Sequence, residues 1–475
     1  MKHLFISSFI VSCLACIPSG AYAGTNVAEA VEAARKAPRN QALNRAAGDA
    51  LKDAGRFAES ITYYMKAGNQ GNLGAAEASY YMYDFDAARD YLDKYLAKRT
   101  KAEAEKDSQF SVSSTGEKTD WTEYLGNRIS IGRSMLDRVE NIEIIDSINV
   151  PSDEFFSFVK LARSAGTLAG METIEKIVGQ KEMEALGVDD IVQPAFVTES
   201  GDEMIWVGSD SNGNSVMVES FRLADDTWDA PVKLFDYSTV FGNSGGSWVD
   251  YPFLLNDGVT LYFASDGDES LGQLDIFMTR RDENNFLQPS NIGMPYNSPF
   301  NDYLYAIDEE TGTGWWVSDR NRLTDSVTIY TFIPKEIREN YPVDTPSLAS
   351  RARVSSIKDT WQDGKDYDRI RRSIASVGEK RRNGNTGEFD FQLPDGRVLH
   401  RLSDFNSPMA RSAMQNYLKE KAEVDAMRDR LASMRKSFAG GDRMQGGEIL
   451  RLEKTLEQRT AALLPLANEV ITLEM

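Results

Sequence analysis

Histidine and cysteine are nearly missing from this sequence of 475 residues: there are two of each, and Cys13, Cys16 and His3 all fall in the first sixteen positions. Basic residues are scarce relative to acidic ones, 53 Lys and Arg against 73 Asp and Glu, a net charge of −20. That balance excludes a general nucleic-acid binder, whose affinity rests on a basic face. Beyond the opening residues no apolar run approaches the roughly 18 needed to span a bilayer, and mean hydropathy is −0.42. With 41% hydrophobic and 10% aromatic residues the chain still holds ample material for packed cores. A prior of about 150 residues per domain gives roughly three folded units.

The opening reads Met1-Lys2-His3, then an apolar stretch from Leu4 to Cys16, then Ala21-Tyr22-Ala23 before Gly24. A short basic start, an apolar middle and small residues at −3 and −1 describe a cleaved export signal over residues 1–23. A lipoprotein signal ending at Cys13 is the rival reading, and either one exports the chain to the periplasm or outer membrane. Cleavage after Ala23 leaves no Cys and one histidine, His400. Cysteine nucleophiles, disulfides and Cys/His zinc sites then lack their ligands, and Ser–His catalysis depends on His400 alone. Gly242-Asn243-Ser244-Gly245-Gly246 satisfies G-x-S-x-G but has no strand-to-helix elbow around it, so it reads as a connecting loop. This subtraction points to a binding or scaffold protein and away from an enzyme.

Residues 24–140 are helical in pattern, rich in Ala and long polar side chains. Phe57, Ser60 and Tyr64 recur as Phe85, Ala88 and Leu92 at the same internal spacing. A small residue between aromatics, at the crossing of two antiparallel helices, resembles the tetratricopeptide repeat. Asn44 departs from it, standing where that family usually has Trp. Residues 141–186 read as a strand and a helical connector.

From Gly187 the period changes to alternation. Three copies of one unit follow over residues 187–340, with Ser-Asp pairs at Ser209-Asp210, Ser265-Asp266 and Ser318-Asp319, at intervals of 56 and 53. Each pair follows an apolar strand that follows a Gly turn. A strand–turn–strand–loop–strand unit of about 40 to 55 residues is what one β-propeller blade needs. A fourth copy, Asp395-Gly396 through Ser403-Asp404, lies in residues 386–406, beyond a basic insertion at 341–385. Between Gly187 and Pro334 there are 6 basic and 25 acidic residues, a net of −19, so the repeats carry nearly all the charge excess. Residues 407–475 return to helix, with heptad stripes Tyr417, Val424, Leu431, Phe438 and Ile449, Leu456, Leu463, Val470 around a Gly-rich turn. These predict a helical hairpin with a coiled-coil seam, its second arm kinked or broken at Pro465.

The second copy, Asp257-Gly258 through Leu261-Tyr262-Phe263-Ala264-Ser265-Asp266 to Asp275-Ile276-Phe277, resembles the WD40-like (PD40) repeat of TolB-type propellers. With the helices upstream, the chain is similar to Gram-negative envelope proteins that join tetratricopeptide-like helices to this propeller, among them accessory proteins of type IX secretion and gliding. No OmpA-like domain is recognisable, so a cell-wall anchoring role is not carried over. The resemblance implies a multidomain α plus β fold: N-terminal tetratricopeptide-like α-hairpins, a small β-propeller of four or more blades, and a C-terminal helical hairpin. It implies an exported, non-enzymatic scaffold for protein–protein contacts in the envelope, with the helical groove and the acidic repeats as partner surfaces. The alternative is a propeller that binds or hydrolyses a glycan or peptide through converging carboxylates.

Three sets of residues are candidate sites. Asp210, Asn212 and Asn214, and likewise Asp266, Asp268 and Ser270, offer oxygens at alternate positions, the spacing that suits calcium; hydrogen-bonded turn aspartates are the other reading. Arg369, Arg371 and Arg372 form a basic patch for an envelope or outer-membrane partner. No other cofactor is expected. The fourth copy ends in a helix and lacks outer strands, so the strand Ile142 to Val150, apolar at alternate positions, is expected to pair with it and close the ring.

Overall fold

The computed structural model describes residues 27–111, 118–159, 161, 165–175, 177–223, 227–242, 248–282, 285–309, 312–322, 325–335, 337–372, 389, 391–393, 397–439 and 446–475. The export signal and Ser244 lie outside these residues, as do Lys380 to Arg382 of the insertion.

Helices Val27–Lys36, Gln41–Asp53, Phe57–Tyr64, Asn69–Tyr81, Phe85–Leu96, Lys101–Asp107 and Trp121–Leu136 form the N-terminal part. Their starts follow from short polar side chains that accept orphan backbone N–H groups. Asn40 accepts from Leu43, Asp84 from Ala87, and Thr100 forms a reciprocal box with Glu103. Phe57, Ser60, Tyr64, Phe85, Ala88 and Leu92 are all buried, so the repeated spacing marks one packed face. Tyr64 is the contact point of three helices. A Cβ at Gly48 or Gly74 would stand 2.6 or 2.4 Å from its ring, and its hydroxyl donates to Asp49 at 2.7 Å.

Three antiparallel sheets follow, one for each Ser-Asp copy. The first has the order Thr167–Ala169, Asp190–Val197, Glu203–Ser209, Ser215–Phe221, Val232–Asp236. The second runs Asn285–Phe286, Asp275–Asp282, Thr260–Ser265, Val249–Leu254, and Ser290–Asn291 also pairs with Asp275–Asp282. The third runs Asp302–Asp308, Thr313–Ser318, Ser326–Ile333, Glu143–Pro151. In each copy the first hairpin turns on a glycine with positive φ: Gly201, Gly258 and Gly312. One hydrophobic core runs through all three sheets and takes in Val150, Phe155 and Leu161 from the segment before the first copy.

The Ser-Asp pair is a latch. Ser265 Oγ donates to Trp248 O at 2.6 Å while Asp266 Oδ1 accepts from Trp248 N at 2.9 Å. In the third copy Ser318 Oγ donates to Asn301 O at 3.3 Å and Asp319 Oδ1 accepts from Asn301 N at 2.8 Å. In these two copies the end of the second strand is thereby tied to the residue just before the first strand. Beside the third latch, buried Arg320 donates to Asp302 Oδ1 at 2.8 Å, Pro295 O at 2.7 Å and Ser318 Oγ at 2.9 Å.

The expected closure is corrected. Glu143–Pro151 pairs with the last strand of the third copy, in a register that sets Val150 against Val327 and Ile148 against Ile329. The fourth copy could not have accepted it. Its strands, Phe391–Gln392 and Val398–Leu399, are two residues each, and Phe391, Leu393 and Leu399 are buried against the C-terminal helices. That hairpin is no fourth sheet of the series, and among the described residues the three sheets do not close into a ring.

The basic insertion answers the edge-strand problem instead. Ile144 N donates to Thr360 Oγ1 at 2.9 Å, Trp361 Nε1 donates to Ile144 O at 2.8 Å, and Arg371 Nε donates to Ile145 O at 2.9 Å. Lys365 and Tyr367 both engage Glu143. Asp146 Oδ1 takes the Ser147 N–H at 2.9 Å, and Pro151 has no N–H to offer. An exposed strand edge is a template for aggregation, and here side chains occupy it.

The helices Pro408–Ala439, Gly446–Ala461 and Leu463–Glu474 make the C-terminal hairpin. Leu431, Met434 and Ile449 pack in its seam. The second arm breaks at Ala462, within the span where Pro465 removes a helical hydrogen bond and crowds the carbonyl four residues earlier. The hairpin is no free arm. Lys421 Nζ meets Glu199 Oε1 at 2.7 Å, and the Arg435 guanidinium lies 3.9 Å over the Phe221 ring of the first sheet.

Two outcomes are expected. Gly74→Ala should lower stability by about 1–3 kcal/mol in urea unfolding, because the added methyl overpacks the Tyr64 ring. Trp361→Ala should leave the sheets folded while amide exchange at Ile144 quickens by about tenfold or more, as the edge cover loosens.

Candidate functional site

Of the residues singled out for calcium, Asp210 is held by hydrogen bonds of its own turn. Asp210 Oδ1 accepts from Asn212 N at 2.8 Å and Asn214 N at 2.9 Å, and Oδ2 accepts from Asn214 Nδ2 at 3.0 Å. Asp266 serves the latch, Ser270 Oγ donates to Ser265 O at 3.0 Å, and Asp268 is exposed. Among the described residues no group of three or more His, Cys, Asp or Glu is arranged to hold a metal ion. His400 follows the short strand Val398–Leu399, and its N–H donates to Asp404 at 2.8 Å.

The basic patch divides. Arg371 is turned into the third sheet, bonded to Ile145 O and Asp368 and lying over the Trp361 ring at 5.1 Å. Arg369 and Arg372 are exposed. Reversing Arg371 to Glu is therefore expected to disturb the sheet edge, contrary to a purely surface role. The N-terminal helices are also engaged internally. Tyr80 donates to Leu271 O, Tyr81 stacks on Phe300 at 5.2 Å, and Arg322 donates to Asp53 O at 2.8 Å.

What sequence reading missed is a cleft of about 960 Å³ between the first two sheets and the C-terminal hairpin. Its floor carries Glu203, Glu219 and Arg281. The register that sets Glu203 against Phe221 and Ile205 against Glu219 puts both glutamates on one face of the first sheet, as diagonal neighbours. Arg281 comes from the second sheet, bonds Glu219, stands 3.6 Å from Glu203 and lies over the Phe286 ring at 5.6 Å. Burial first, and the neighbouring Glu219 carboxylate second, push the Glu203 carboxyl well above the usual range, against the pull of Arg281. Glu203 Oε1 is buried and accepts no hydrogen bond among the described residues. Phe196 and Leu254 line the sheet side, and Leu431, Leu450 and Leu456 the hairpin side. Alternation alone hinted at the pair, since two glutamates interrupt otherwise apolar strand faces; only the third partner, from another sheet, makes it a site.

A second buried carboxylate lies at the other copy boundary. Asp250 is the second residue of the strand Val249–Leu254, one place beyond the residue that matches Asp302 in the register of the third copy, and among the described residues no cation forms an ion pair with it. Burial pushes the Asp250 carboxyl up to about 7, although Ser215 donates to it and favours the ion. Its Oδ1 accepts no hydrogen bond among the described residues.

Among the described residues no helix is long and apolar enough to cross a membrane. Comparison with protein-family models, curated proteins and solved structures finds no match to this chain. The cleft therefore has to be read from its own chemistry.

The raised Asp250 carboxyl sets a pH dependence. Unfolded, the group ionises near 3.8, but folded it stays protonated to about 7, so the stability it contributes is full below 3.8 and is lost as pH rises through 7. Asp250→Asn should accordingly match the parent in thermal melting at pH 4 and exceed it at pH 8 by about 2 kcal/mol or more.

Proposed function

We propose that this chain is an exported, non-enzymatic scaffold whose three sheets act as consecutive blades of an open, TolB-like propeller, with tetratricopeptide-like helices on one side and a helical hairpin on the other. Its task on this reading is protein–protein contact in the cell envelope, its partners being envelope or outer-membrane proteins such as components of a secretion or assembly machine. The cleft under the hairpin is the contact site. It is broad, lies where three elements meet, and mixes apolar walls with charged groups, as partner-binding surfaces do.

The observation that carries this reading is the state of the two carboxylates at its floor. Glycoside hydrolysis needs a pair about 5–5.5 Å apart for retention, or about 6.5–9.5 Å apart for inversion, each free to exchange a proton or attack. Here the two carboxylates lie side by side on one sheet face, and one guanidinium, Arg281, serves both. A pair so engaged fits recognition and inter-sheet fastening better than acid–base work.

Photo-cross-linking in cells tests the proposal. A cross-linking amino acid at Leu450, exposed at the cleft, should capture one discrete envelope protein, whereas the same group at exposed Met65 of the N-terminal helices should not. Turnover of a glycan or peptide substrate that is abolished by Glu203→Gln would replace the scaffold reading with the hydrolase.

A further inference from the structure

The two ends of the chain are attached to the sheets in different ways. The N-terminal helices share a core with the strand repeats: Phe57, Tyr81 and Tyr83 lie in one cluster with Leu271 and Met294 of the second copy. Residues 389–475 do not. Phe391, Phe405, Met414 and Val470 form one cluster and Leu431, Met434 and Ile449 another, and among the described residues neither takes in a side chain from the sheets. The cleft of about 960 Å³ holds the walls apart, with Leu431 and Leu456 on the hairpin side and Phe196 and Leu254 on the sheet side. Apolar walls that do not touch contribute little to docking.

Within itself the C-terminal body is well fastened. Arg459 reaches Glu420 and Glu423 of the opposite arm at 2.6 Å each, and Arg435 reaches Glu453 at 2.9 Å. Its links to the sheets are polar and open to water. The Lys421–Glu199 pair is 25% and 22% exposed, and Arg435 lies 3.9 Å over the Phe221 ring. An exposed ion pair is worth at most about fivefold in an equilibrium, and a cation over a ring at most about thirtyfold. Separation would orphan none of these charges, because Arg435 keeps Glu453 while water takes up Lys421 and Glu199.

We propose that residues 389–475 form a salt-sensitive lid on the first sheet. Docked, the hairpin covers the cleft floor; undocked as a rigid unit, it opens Phe221, Leu254 and Leu255 to a partner. As regulation of the contact site this rests on the scaffold reading, whereas the docking equilibrium itself does not. The arrangement is autoinhibitory: a partner competes with the chain's own hairpin, and the open fraction scales its apparent affinity.

The test uses the chain over residues 24–475, which contains no cysteine. Spin labels can therefore be placed without background at exposed Ala230, beside the first sheet, and exposed Ser433, on the hairpin. Double electron–electron resonance should give one narrow distance at about 50 mM salt, and a second, longer and broader population at about 1 M, where the ion pair is screened. Lys421→Glu, which turns attraction into repulsion, should raise the longer population about fivefold or more at low salt. Adding Glu199→Lys should restore the single distance, a rescue that misfolding would not show. In cells, a photo-cross-linker at Leu255 on the cleft floor should capture the envelope partner more in Lys421→Glu, by a similar factor, and return to the parent yield in the charge-swapped chain. One unchanged distance at both salt concentrations and in Lys421→Glu overturns the lid. Undocking with no gain in capture from Leu255 overturns its control over the cleft. If neither Leu255 nor Leu450 captures a partner in any of these chains, the scaffold reading fails and the lid's role there with it, while the distances still decide whether the lid opens.

Discussion

The pairing of Glu143–Pro151 with Ser326–Ile333 is the constraint on which the rest of the molecule depends. It joins the end of the helical region to the last strand of the third copy, so everything between must return to the same place. Closing so long a loop carries an entropic cost that grows only slowly with length, and the eight register pairs plus the buried Ile144 and Val150 offset it. Once the strand is in place, the helices that precede it lie against the loops of the second and third sheets. Tyr80 then reaches Leu271, and Arg322 reaches Asp53. The same strand also decides the role of the basic insertion, which covers its first half with Thr360, Trp361 and Arg371.

Within the sheets, the repeats share a framework and differ in how they treat buried charge. The Ser-Asp latch recurs with the same geometry at Trp248 and Asn301. The third copy neutralises Asp302 with Arg320, whereas Asp250 of the second, one place further along its strand, has no ion-pair partner among the described residues. A protonated carboxyl is the cheaper solution there, since burying an unpaired ion is far more costly than burying an acid. In the first copy the aspartate of the Ser-Asp pair, Asp210, turns back on its own loop instead of forming the latch.

The cleft is a consequence of the same assembly. It exists because the C-terminal hairpin, fastened by Lys421–Glu199 and by Arg435 over Phe221, stands off the junction of the first two sheets. Salt links between exposed side chains are individually weak, so the hairpin's own seam and the Glu474 carboxylate carry much of its order. Glu474 is buried, yet it accepts from Ser407 N, Asn406 N and Arg397, and these donors outweigh burial and hold it below the usual carboxylate range. Its position ties the last turn of the chain to the start of the long helix Pro408–Ala439.

The amino-acid sequence by itself determined the local units. Period and spacing placed helices over Phe57 and Phe85, strands before each Ser-Asp pair, glycines at the three hairpin turns, and a break near Pro465, because each depends on residues only a few positions apart. Tertiary structure alone decided which units meet. The strand at Ile144 chose the third copy over the fourth because the third offers an eight-residue strand and the fourth only two residues. Arg371 became an edge plug because Ile145 O stands within its reach. Glu203, Glu219 and Arg281 became a site because two sheets bring them together. Hydrophobic alternation shows which face of a strand is buried, and it carries no information about which distant strand or side chain will cover that face.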